Sequence, residues 1–374
     1  LAEISSELGL PVPKGFVITS RAFNSFCESN HLQPEIGRAL AGLEIDSVRS
    51  LEETSAHLTS LILQGSLPPE MEKTLRDEYA RTFGSSRCAM RSSAMGEDST
   101  SSFAGQFKTI LNVHPDDLSE AYKEVIAGKY SPNALFYRVI NGFLDQETPM
   151  AVLVLDMIDA ASSGIVYSRS PLLSGPPAVT VYSVWGLGEV LNKGAAVPDI
   201  AEVSREPDQP KVTRKERGTQ ETKLALSPQR ALDVAPLEAH EKEQMSLTDD
   251  DALRLAKWSL QLESHFGTSQ DTEWCKDREG RLYLLQSRPL GTEQKRGPSC
   301  PLDSTQVTNP VVLSGGQKAA SGVGTGRVFL ASSPEDLKDI PPGSVLVTRS
   351  PFARWAQGMN RLSAVVTDLG SAEP

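Results

Sequence analysis

The sequence predicts an α+β chain that is built from more than one compact unit. Segments with apolar residues at helical spacing alternate with short runs rich in β-branched residues. The length of 374 residues exceeds the usual size of a single domain, so we expect at least two separate cores. The pattern of residues 271–289 predicts two short strands joined by a turn, which is typical of the sheet part of a mixed fold.

The first half of the chain is predicted to consist mostly of helical packing elements. The expected elements are a strand within 11–19, a helix capped by Ser20, helices within 34–64 and 68–83, and helices at 116–129 and 131–143. Apolar residues three or four positions apart, such as Phe23, Phe26 and Cys27, support these helices. Consecutive prolines at 68–69 are typical of a helix start. These segments show no pattern that indicates catalysis.

The second half is predicted to be richer in strands. We expect buried strands at 150–157 and 163–167, a strand from 178 that leads into Gly186 and Gly188, and the hairpin at 271–289. Residues 204–246 carry many charges and prolines, which favours a solvated and partly mobile insertion. Thr248 is expected to cap the next helix, with Asp251 closing a capping box.

Composition predicts a linker, and the linker divides the chain into two expected domains. The first is expected at residues 1–290 and includes the charged insertion at about 204–246. A stretch at 291–305 that is rich in glycine, proline and serine is expected to be a linker. Residues 306–374 then begin a second domain, with strands expected within 320–329, 343–348 and 364–370.

Composition argues against several classes of protein. The formal net charge of −11 disfavours nucleic-acid binding as a main role, because proteins that bind the phosphate backbone carry a basic face. No apolar run approaches the length of a membrane span. The four cysteines lack Cys-x-x-Cys spacing, so we expect free thiols in a reducing cytoplasm. For the five histidines we expect exposed or packing roles.

The stretch that begins Arg91-Ser92-Ser93, followed by Ser102, Gly105 and Gln106, suits a phosphate group. Small, hydroxyl-bearing and glycine residues let backbone N–H groups and side-chain hydroxyls surround an anion, and the arginine adds bidentate charge. A triphosphate needs such a site. The same composition is also common in polar surface turns, so this stretch alone leaves both interpretations open.

The predicted hairpin at 271–289 is a second candidate site. Alternate side chains of a strand share a face, so Asp271 and Glu273 point the same way, as do Gln286 and Arg288. Two carboxylates and an amide oxygen suit Mg²⁺ when phosphate oxygens complete its shell, and Arg288 can hold a phosphate beside it. The alternative is an ordinary amphipathic hairpin with a polar outer face.

The segment Gly186-Leu187-Gly188-Glu189 is a weaker candidate. Glycine lets the backbone approach a ligand closely, and Glu189 could accept from a ribose hydroxyl or serve a metal. A single Gly-x-Gly is more often a tight turn, so the segment does not by itself indicate a site.

Taken together, these motifs resemble the nucleotide-binding domain of the phosphoenolpyruvate synthase and pyruvate phosphate dikinase family. They occur in the family's order over roughly the first 290 residues. The matching segments are 9–16, 91–98, 102–106 with 111–113, 161–164, 185–189, 198–199 and the 271–289 hairpin. Segments 320–329, 343–348 and 364–370 are similar to the opening strands of the family's swivelling phosphohistidine domain.

The resemblance implies a two-lobed ATP-grasp nucleotide-binding domain followed by the beginning of that swivelling domain. It implies ATP and Mg²⁺ as cofactors, Arg91 and Arg288 as catalytic cations that clamp the phosphates, and Glu273 and Gln286 as metal ligands. The further residues expected at the nucleotide are Ser92, Ser93, Ser102, Gly105, Gln106, Gly186, Gly188, Glu189 and Asp271.

The resemblance also implies a relay in which a carrier histidine takes the β-phosphoryl group of ATP and passes it to pyruvate, with release of AMP and phosphate. The expected partners are the phosphohistidine domain and a C-terminal acceptor domain, and a homodimer stays open. The chain starts within an amphipathic helix, so we expect a fragment without the family's earlier phosphate-binding lysine, and we expect the carrier histidine to follow Pro374. Two alternatives stay open: the same relay on another hydroxyl acceptor, such as a rifampicin-type antibiotic, a phenol or a glucan, and a non-catalytic nucleotide-binding module.

Overall fold

The computed structural model describes most of the first 290 residues and part of the remainder. The described residues are 1–45, 47–94, 108–170, 177–192, 196–206, 209–227, 232–290, 323–332, 336, 340–349 and 361–368. They divide into two compact units. We call residues 11–159 and 225–234 the helix-rich unit, and residues 1–10, 160–224 and 235–374 the sheet-rich unit.

Helices and strands together confirm the α+β class. The α-helices are α1 Ala2–Leu8, α2 Ser20–Ser29, α3 Gln33–Ala41, α4 Val48–Gln64, α5 Pro69–Phe83, α6 Leu118–Ala127, α7 Pro132–Ile140, α8 Glu189–Asn192, α9 Ala239–Glu243 and α10 Asp249–Phe266. The strands are β1 Gly15–Ile18, β2 Cys88–Ala94, β3 Thr109–Val113, β4 Met150–Asp156, β5 Ala160–Tyr167, β6 Ala178–Trp185, β7 Asp199–Ser204, β8 Val212–Glu216, β9 Thr222–Leu226, β10 Leu232–Pro236, β11 Gln270–Asp277, β12 Leu282–Pro289, β13 Val328–Ala331, β14 Ser344–Thr348 and β15 Leu362–Thr367.

The helix-rich unit packs its helices on a four-stranded sheet with the order β1-β4-β2-β3. Its core forms because each helix buries one apolar face; in α2 these residues are Phe23, Phe26 and Cys27, as predicted. The helix begins one residue earlier than predicted, because Thr19 and not Ser20 occupies the N-cap position. The predicted start of α5 at the two prolines is confirmed.

The sheet-rich unit is built on an antiparallel six-stranded sheet with the order β12-β11-β5-β6-β7-β8. Helix α10 packs on this sheet, and Thr248 caps the helix by accepting from the backbone N–H of Asp251, as predicted. The indole of Trp274 on β11 is fully buried. Gly164 on β5 leaves room for it, since a Cβ there would lie 2.9 Å from the indole and 1.8 Å from the Tyr182 carbonyl oxygen.

The region predicted as a solvated, partly mobile insertion differs from that expectation in its described part. Within 204–246 the chain forms β8, the β9–β10 pair and α9. Strand β8 continues the six-stranded sheet through β7, so backbone hydrogen bonds order it. Its side chains are mostly exposed, which is the part of the expectation that the charges predicted correctly.

The C-terminal strands β13, β14 and β15 form a separate three-stranded sheet in which both pairings are parallel. Strand β14 lies within the expected range 343–348, whereas β13 and β15 overlap the expected ranges 320–329 and 364–370 only in part. The predicted linker at 291–305 lies outside the described residues, and the boundaries 1–290 and 306–374 stay predictions. Among the described residues, no helix combines the length and the apolar character that crossing a membrane requires.

Candidate functional site

The hairpin β11–β12 places four predicted site residues in one block on one face. Asp271 lies directly opposite Arg288, and Glu273 lies directly opposite Gln286. Because side chains alternate along a strand, these two pairs share a face of the sheet, and the Thr272–Ser287 pair between them points the other way. The predicted hairpin and its common polar face are therefore present.

The same face continues across the sheet into an apolar cluster. Glu273 lies opposite Ile165 on β5, and Ile165 lies opposite Tyr182 on β6. Ile165, Tyr167 and Tyr182 are buried in a cluster that also contains Leu191 of α8 and Leu290. Helix α10 contacts the same strands. The polar block thus lies at the edge of a well-packed core, which fixes the strands that carry it.

Asp271 and Arg288 form a close ion pair. Both Nε and Nη2 of Arg288 approach the same Oδ2 atom of Asp271, at 2.7 and 2.6 Å. The Asp271 side chain is only 3% exposed, whereas that of Arg288 is 21% exposed. Burial raises the pKa of Asp271 against the opposing effect of Arg288. For Arg288, burial acts downward, but Asp271 and Glu273 together raise the pKa above its ordinary value.

This geometry gives Asp271 a contact that the sequence analysis did not predict. One Asp271 oxygen serves the guanidinium edge formed by Nε and Nη2, which fixes the plane of the Arg288 head group. The Nη1 edge of the guanidinium is not part of that pair. An arginine held in this way presents its remaining donors in a defined direction, which is the arrangement that phosphate recognition requires.

Glu273 and Gln286 supply the oxygen donors for which the sequence predicted a magnesium site. Both side chains are partly buried and lie beside the Asp271–Arg288 pair. A carboxylate and an amide carbonyl are hard oxygen ligands, and Mg²⁺ commonly takes one or two protein ligands while water and phosphate oxygens fill the rest of its shell. The residues present therefore fit the ion.

The segment Gly186–Glu189 follows β6 and packs tightly against its own unit. Gly186 has φ +74°, and a Cβ there would lie 2.3 Å from the Leu224 carbonyl oxygen. The Ser163 hydroxyl donates to the Gly186 carbonyl, and a Cβ on Gly188 would approach that hydroxyl to 3.2 Å. Packing thus supplies a reason for both glycines. Glu189 begins α8, and a role for these three residues at a nucleotide stays a prediction.

The sequence analysis did not predict that the buried carboxylate of Asp199 connects separate parts of the sheet-rich unit by hydrogen bonds. Asp199 is 1% exposed, and its two oxygens accept from the Gly218 N–H at 2.8 Å and from the Ser246 N–H and hydroxyl at 2.7 and 2.8 Å. The Ser246 hydroxyl also contacts Ser183 of β6. Asp199 therefore ties β7 to two distant loops. Its place in the 198–199 motif was visible, but its partners lie 19 and 47 residues away and show no local pattern.

The remaining predicted site residues belong to the helix-rich unit or fall outside the described residues. Arg91, Ser92 and Ser93 lie on β2, where Arg91 pairs with Thr109 of β3 and Leu153 of β4. Arg91 and Ser92 are partly buried and Ser93 is exposed. Ser102, Gly105 and Gln106 lie outside the described residues. The structure thus brings Asp271, Glu273, Gln286 and Arg288 together, and the phosphate stretch stays a prediction.

The helix-rich unit contains a second charged cluster that sequence reasoning missed. Asp145 accepts from Lys129 at 3.0 Å and from Nη1 of Arg138 at 2.6 Å, and the two cations are only 1% and 3% exposed. Lys129 also donates to the Asp145 carbonyl and lies 4.8 Å above the Phe23 ring. Burial lowers the pKa of Lys129 to about 8 against the opposing effect of Asp145. We call these three residues the closed cluster.

Three of the four cysteines are described. All three are free thiols, as predicted, and all three are buried. Burial raises the pKa of each of them, Cys27, Cys88 and Cys275, to about 12. Such thiols stay protonated near neutral pH and make poor nucleophiles. Cys300 lies outside the described residues.

A family model and curated relatives indicate the same protein family. A family model described as "Pyruvate phosphate dikinase, AMP/ATP-binding domain" matches residues 1–306. Phosphoenolpyruvate synthase of Escherichia coli is 30% identical over 98% of this chain and 48% of that protein. The enzymes of the same name from Pseudomonas aeruginosa and Deinococcus radiodurans are 28% and 30% identical over 99% and 96% of this chain, and 49% and 47% of those proteins. The chain therefore spans about half the length of these curated relatives.

Among solved structures, D-alanyl-alanine synthetase A from Vibrio cholerae is similar over 77% of this chain and 53% of that chain. The TM-score is 0.30 and the sequence identity is 9%. A likeness of this size supports no argument about fold or function.

Proposed function

This chain belongs to the pyruvate phosphate dikinase AMP/ATP-binding domain family, and from that premise we propose that it binds Mg-ATP as the nucleotide-binding part of a phosphoenolpyruvate synthase-like enzyme. The proposal rests mainly on the hairpin block, by which we mean Asp271, Glu273, Gln286 and Arg288. Arg288 is fixed against buried Asp271, directly beside the oxygen pair of Glu273 and Gln286. A fixed cation next to two hard oxygen donors suits a phosphate that carries a magnesium ion.

The charge of the hairpin residues supports a role for a metal ion in this proposal. The block contains two carboxylates and one guanidinium, which sum to a formal charge of −1 when all are ionised. A triphosphate would meet net repulsion there without a cation. We propose that Glu273 and Gln286 hold Mg²⁺, which neutralises charge on the phosphate oxygens when it is bound.

The residues of this chain would act mainly by positioning. Phosphoryl transfer depends on alignment and charge neutralisation more than on acid–base groups. In this proposal Nη1 of Arg288 donates to a phosphate oxygen, and Asp271 keeps the guanidinium in the orientation that permits it. Arg91 of the helix-rich unit is proposed as a second phosphate cation, on the strength of the family resemblance. Arg91→Ala should then damage turnover by the intact protein far more than folding.

For the whole protein we propose the family's relay. The nucleotide domain would have the ATP-grasp fold, and β13–β15 would open the swivelling domain that carries the phosphohistidine. That histidine would take the β-phosphoryl group and pass it to pyruvate, leaving AMP and phosphate. The names of the relatives support pyruvate as the acceptor.

A titration tests the nucleotide site. The non-hydrolysable ATP analogue AMP-PNP is titrated into the chain with and without Mg²⁺, and the two titrations are repeated on Glu273→Gln and on the control Glu279→Gln. Glu279 lies on the turn of the same hairpin and its side chain is 67% exposed. We expect binding that depends on Mg²⁺, a dependence that shrinks in Glu273→Gln, and a control that matches the wild type. Equal binding with and without Mg²⁺ would contradict the proposed metal role.

The acceptor is tested in the full-length protein. Incubation with ATP labelled at the β-phosphate should give an acid-labile phosphohistidine, and pyruvate should discharge the label. Discharge by another hydroxyl compound and not by pyruvate would replace pyruvate as the acceptor but keep the nucleotide site.

A further inference from the structure

Three metal-ligating side chains meet in the sheet-rich unit outside the hairpin block. Glu3 and Glu7 lie on α1, and His265 is the penultimate residue of α10. The Nε2 atom of His265 is 2.8 Å from Oε1 of Glu3 and 3.9 Å from Oε2 of Glu7. One ligand atom from each residue lies within 4.8 Å of the other two, and no second group of this kind occurs among the described residues.

The sequence and the packing of α1 explain the convergence. Residues four apart lie on one face of a helix, so both carboxylates point in the same direction. Ile4 is 2% exposed and Leu10 is 7% exposed, and these two residues anchor the helix and its C-terminal turn. The His265 ring contacts the Phe266 ring edge to face at 4.8 Å. The three ligands therefore come from anchored elements and not from loose loops.

His265 faces two carboxylates, whereas two other histidines of the chain each face one. His57 and His240 each pair with one carboxylate, Glu35 and Glu238 respectively. Glu35 is also bound by Arg38. In contrast, α1 has the sequence AEISSEL and carries no basic residue. Two like charges one turn apart repel each other, and a divalent cation between them and the imidazole would relieve that repulsion.

We propose that Glu3, Glu7 and His265 bind a divalent transition-metal ion of the zinc class, which links α1 to the end of α10. One imidazole nitrogen and two carboxylate oxygens suit Zn²⁺ and its neighbours in the first transition row. Mg²⁺ and Ca²⁺ prefer sites made of oxygen alone, so this site is distinct in chemistry from the proposed hairpin site. Three protein ligands leave a fourth position for water.

A zinc titration by competition with a chromophoric chelator tests the site. The whole chain is first stripped with EDTA, and wild type, His265→Gln, Glu7→Gln and the control His57→Gln are then compared. We expect one Zn²⁺ site in the wild type that weakens at least about tenfold in His265→Gln and in Glu7→Gln and is unchanged in His57→Gln. Excess Mg²⁺ should not displace the Zn²⁺.

Hydrogen exchange supplies a readout at the site itself. Zn²⁺ should slow exchange of the α1 amides in the wild type and not in Glu7→Gln, an exposed position whose loss leaves the core intact. Equal zinc binding by wild type, His265→Gln and Glu7→Gln would overturn the proposal. Displacement of the ion by Mg²⁺ would also overturn it, because it would indicate an all-oxygen site elsewhere.

Discussion

Three arginine–aspartate pairs among the described residues differ mainly in how much of the arginine is exposed to solvent. The Arg138 side chain in the closed cluster is 3% exposed, Arg288 on the hairpin is 21% exposed, and Arg281 at the hairpin turn is 65% exposed. The closed pair has no open edge and serves packing. In the Arg281 pair the aspartate is buried, but the exposed guanidinium is solvated by water. Only the intermediate pair combines a fixed guanidinium with an accessible edge, which is what binding a ligand phosphate requires.

The closed cluster should give the largest effect on stability. Asp145→Asn leaves Lys129 and Arg138 buried without their counter-charge, and loss of one partner from a buried pair costs about 3–5 kcal/mol. We expect a lower urea midpoint and faster hydrogen exchange in 118–148. Asp116→Asn, at a 70% exposed carboxylate of the same unit, is the control and should change little. An unchanged midpoint in Asp145→Asn would show that the cluster does not stabilise the unit.

The buried Lys129 of the closed cluster should also make the stability of the chain depend on pH. The pKa of Lys129 is about 8 in the folded chain and about 10.4 when unfolded, so between these values the unfolded chain binds a proton that the folded chain does not. This group therefore makes the free energy of unfolding rise with pH from about 8 to about 10.4, by up to about 3 kcal/mol.

The test is a difference measurement, because the buried thiols also titrate in alkali. Urea unfolding of the wild type and of Lys129→Met is followed across the same pH range. The stability of the wild type relative to the variant should increase with pH. A constant difference would mean that Lys129 keeps an ordinary pKa in the folded chain.

The intermediate pair should affect binding more than stability. Asp271→Asn keeps the shape of the side chain but replaces a charge-assisted contact with a neutral one, so Arg288 loses its fixed orientation. We expect the affinity for Mg-AMP-PNP to fall about tenfold, or about 1.4 kcal/mol. Isothermal titration measures this. An unchanged affinity in a folded Asp271→Asn protein would remove the positioning role of Asp271.

The pair with the exposed arginine, Arg281–Asp277, should show the smallest effect. Arg281 approaches Asp277 at 2.7 Å, but water competes for the contact. Arg281→Ala should leave both the urea midpoint and the affinity for Mg-AMP-PNP unchanged within error. A clear loss of affinity would show that the nucleotide site extends to the hairpin turn and that an exposed arginine can also contribute to it.

The sequence predicted the residues around the intermediate pair, Asp271–Arg288, but not the closed cluster, and the reason is physical. Strand periodicity is local, so alternation was enough to place Asp271 with Glu273 on one face of their strand and Gln286 with Arg288 on one face of theirs. It could not show that Asp271 bonds Arg288, because the register between strands also depends on the turn and the bulge after Glu273. Lys129 lies in the 3-10 helix Gly128–Tyr130, Arg138 in α7, and Asp145 in the 3-10 helix Asp145–Glu147, and no local pattern joins them.

The difference between local patterns and long-range contacts also explains why the predictions for the α2 cap and for residues 204–246 were partly wrong. Thr19 and Ser20 are both good N-cap residues, so composition could not choose between them. The charges in 204–246 predicted exposed side chains correctly, but the order of that region comes from pairing with β7, which is a long-range contact. The predicted residues Ser102, Gly105 and Gln106 stay predictions, as does the role of Arg91.

The most direct test of the account compares two ligands on Arg288→Ala. Dissociation constants for Mg-AMP-PNP and for adenosine, which has no phosphate, are measured on the wild type, on Arg288→Ala and on Arg281→Ala. Loss of a charge-assisted phosphate contact of about 2 kcal/mol should weaken Mg-AMP-PNP about 30-fold in Arg288→Ala while adenosine binding stays constant. Arg281→Ala should match the wild type. Equal weakening of both ligands, or unchanged binding of Mg-AMP-PNP, would contradict the claim that Arg288 holds the phosphates of ATP.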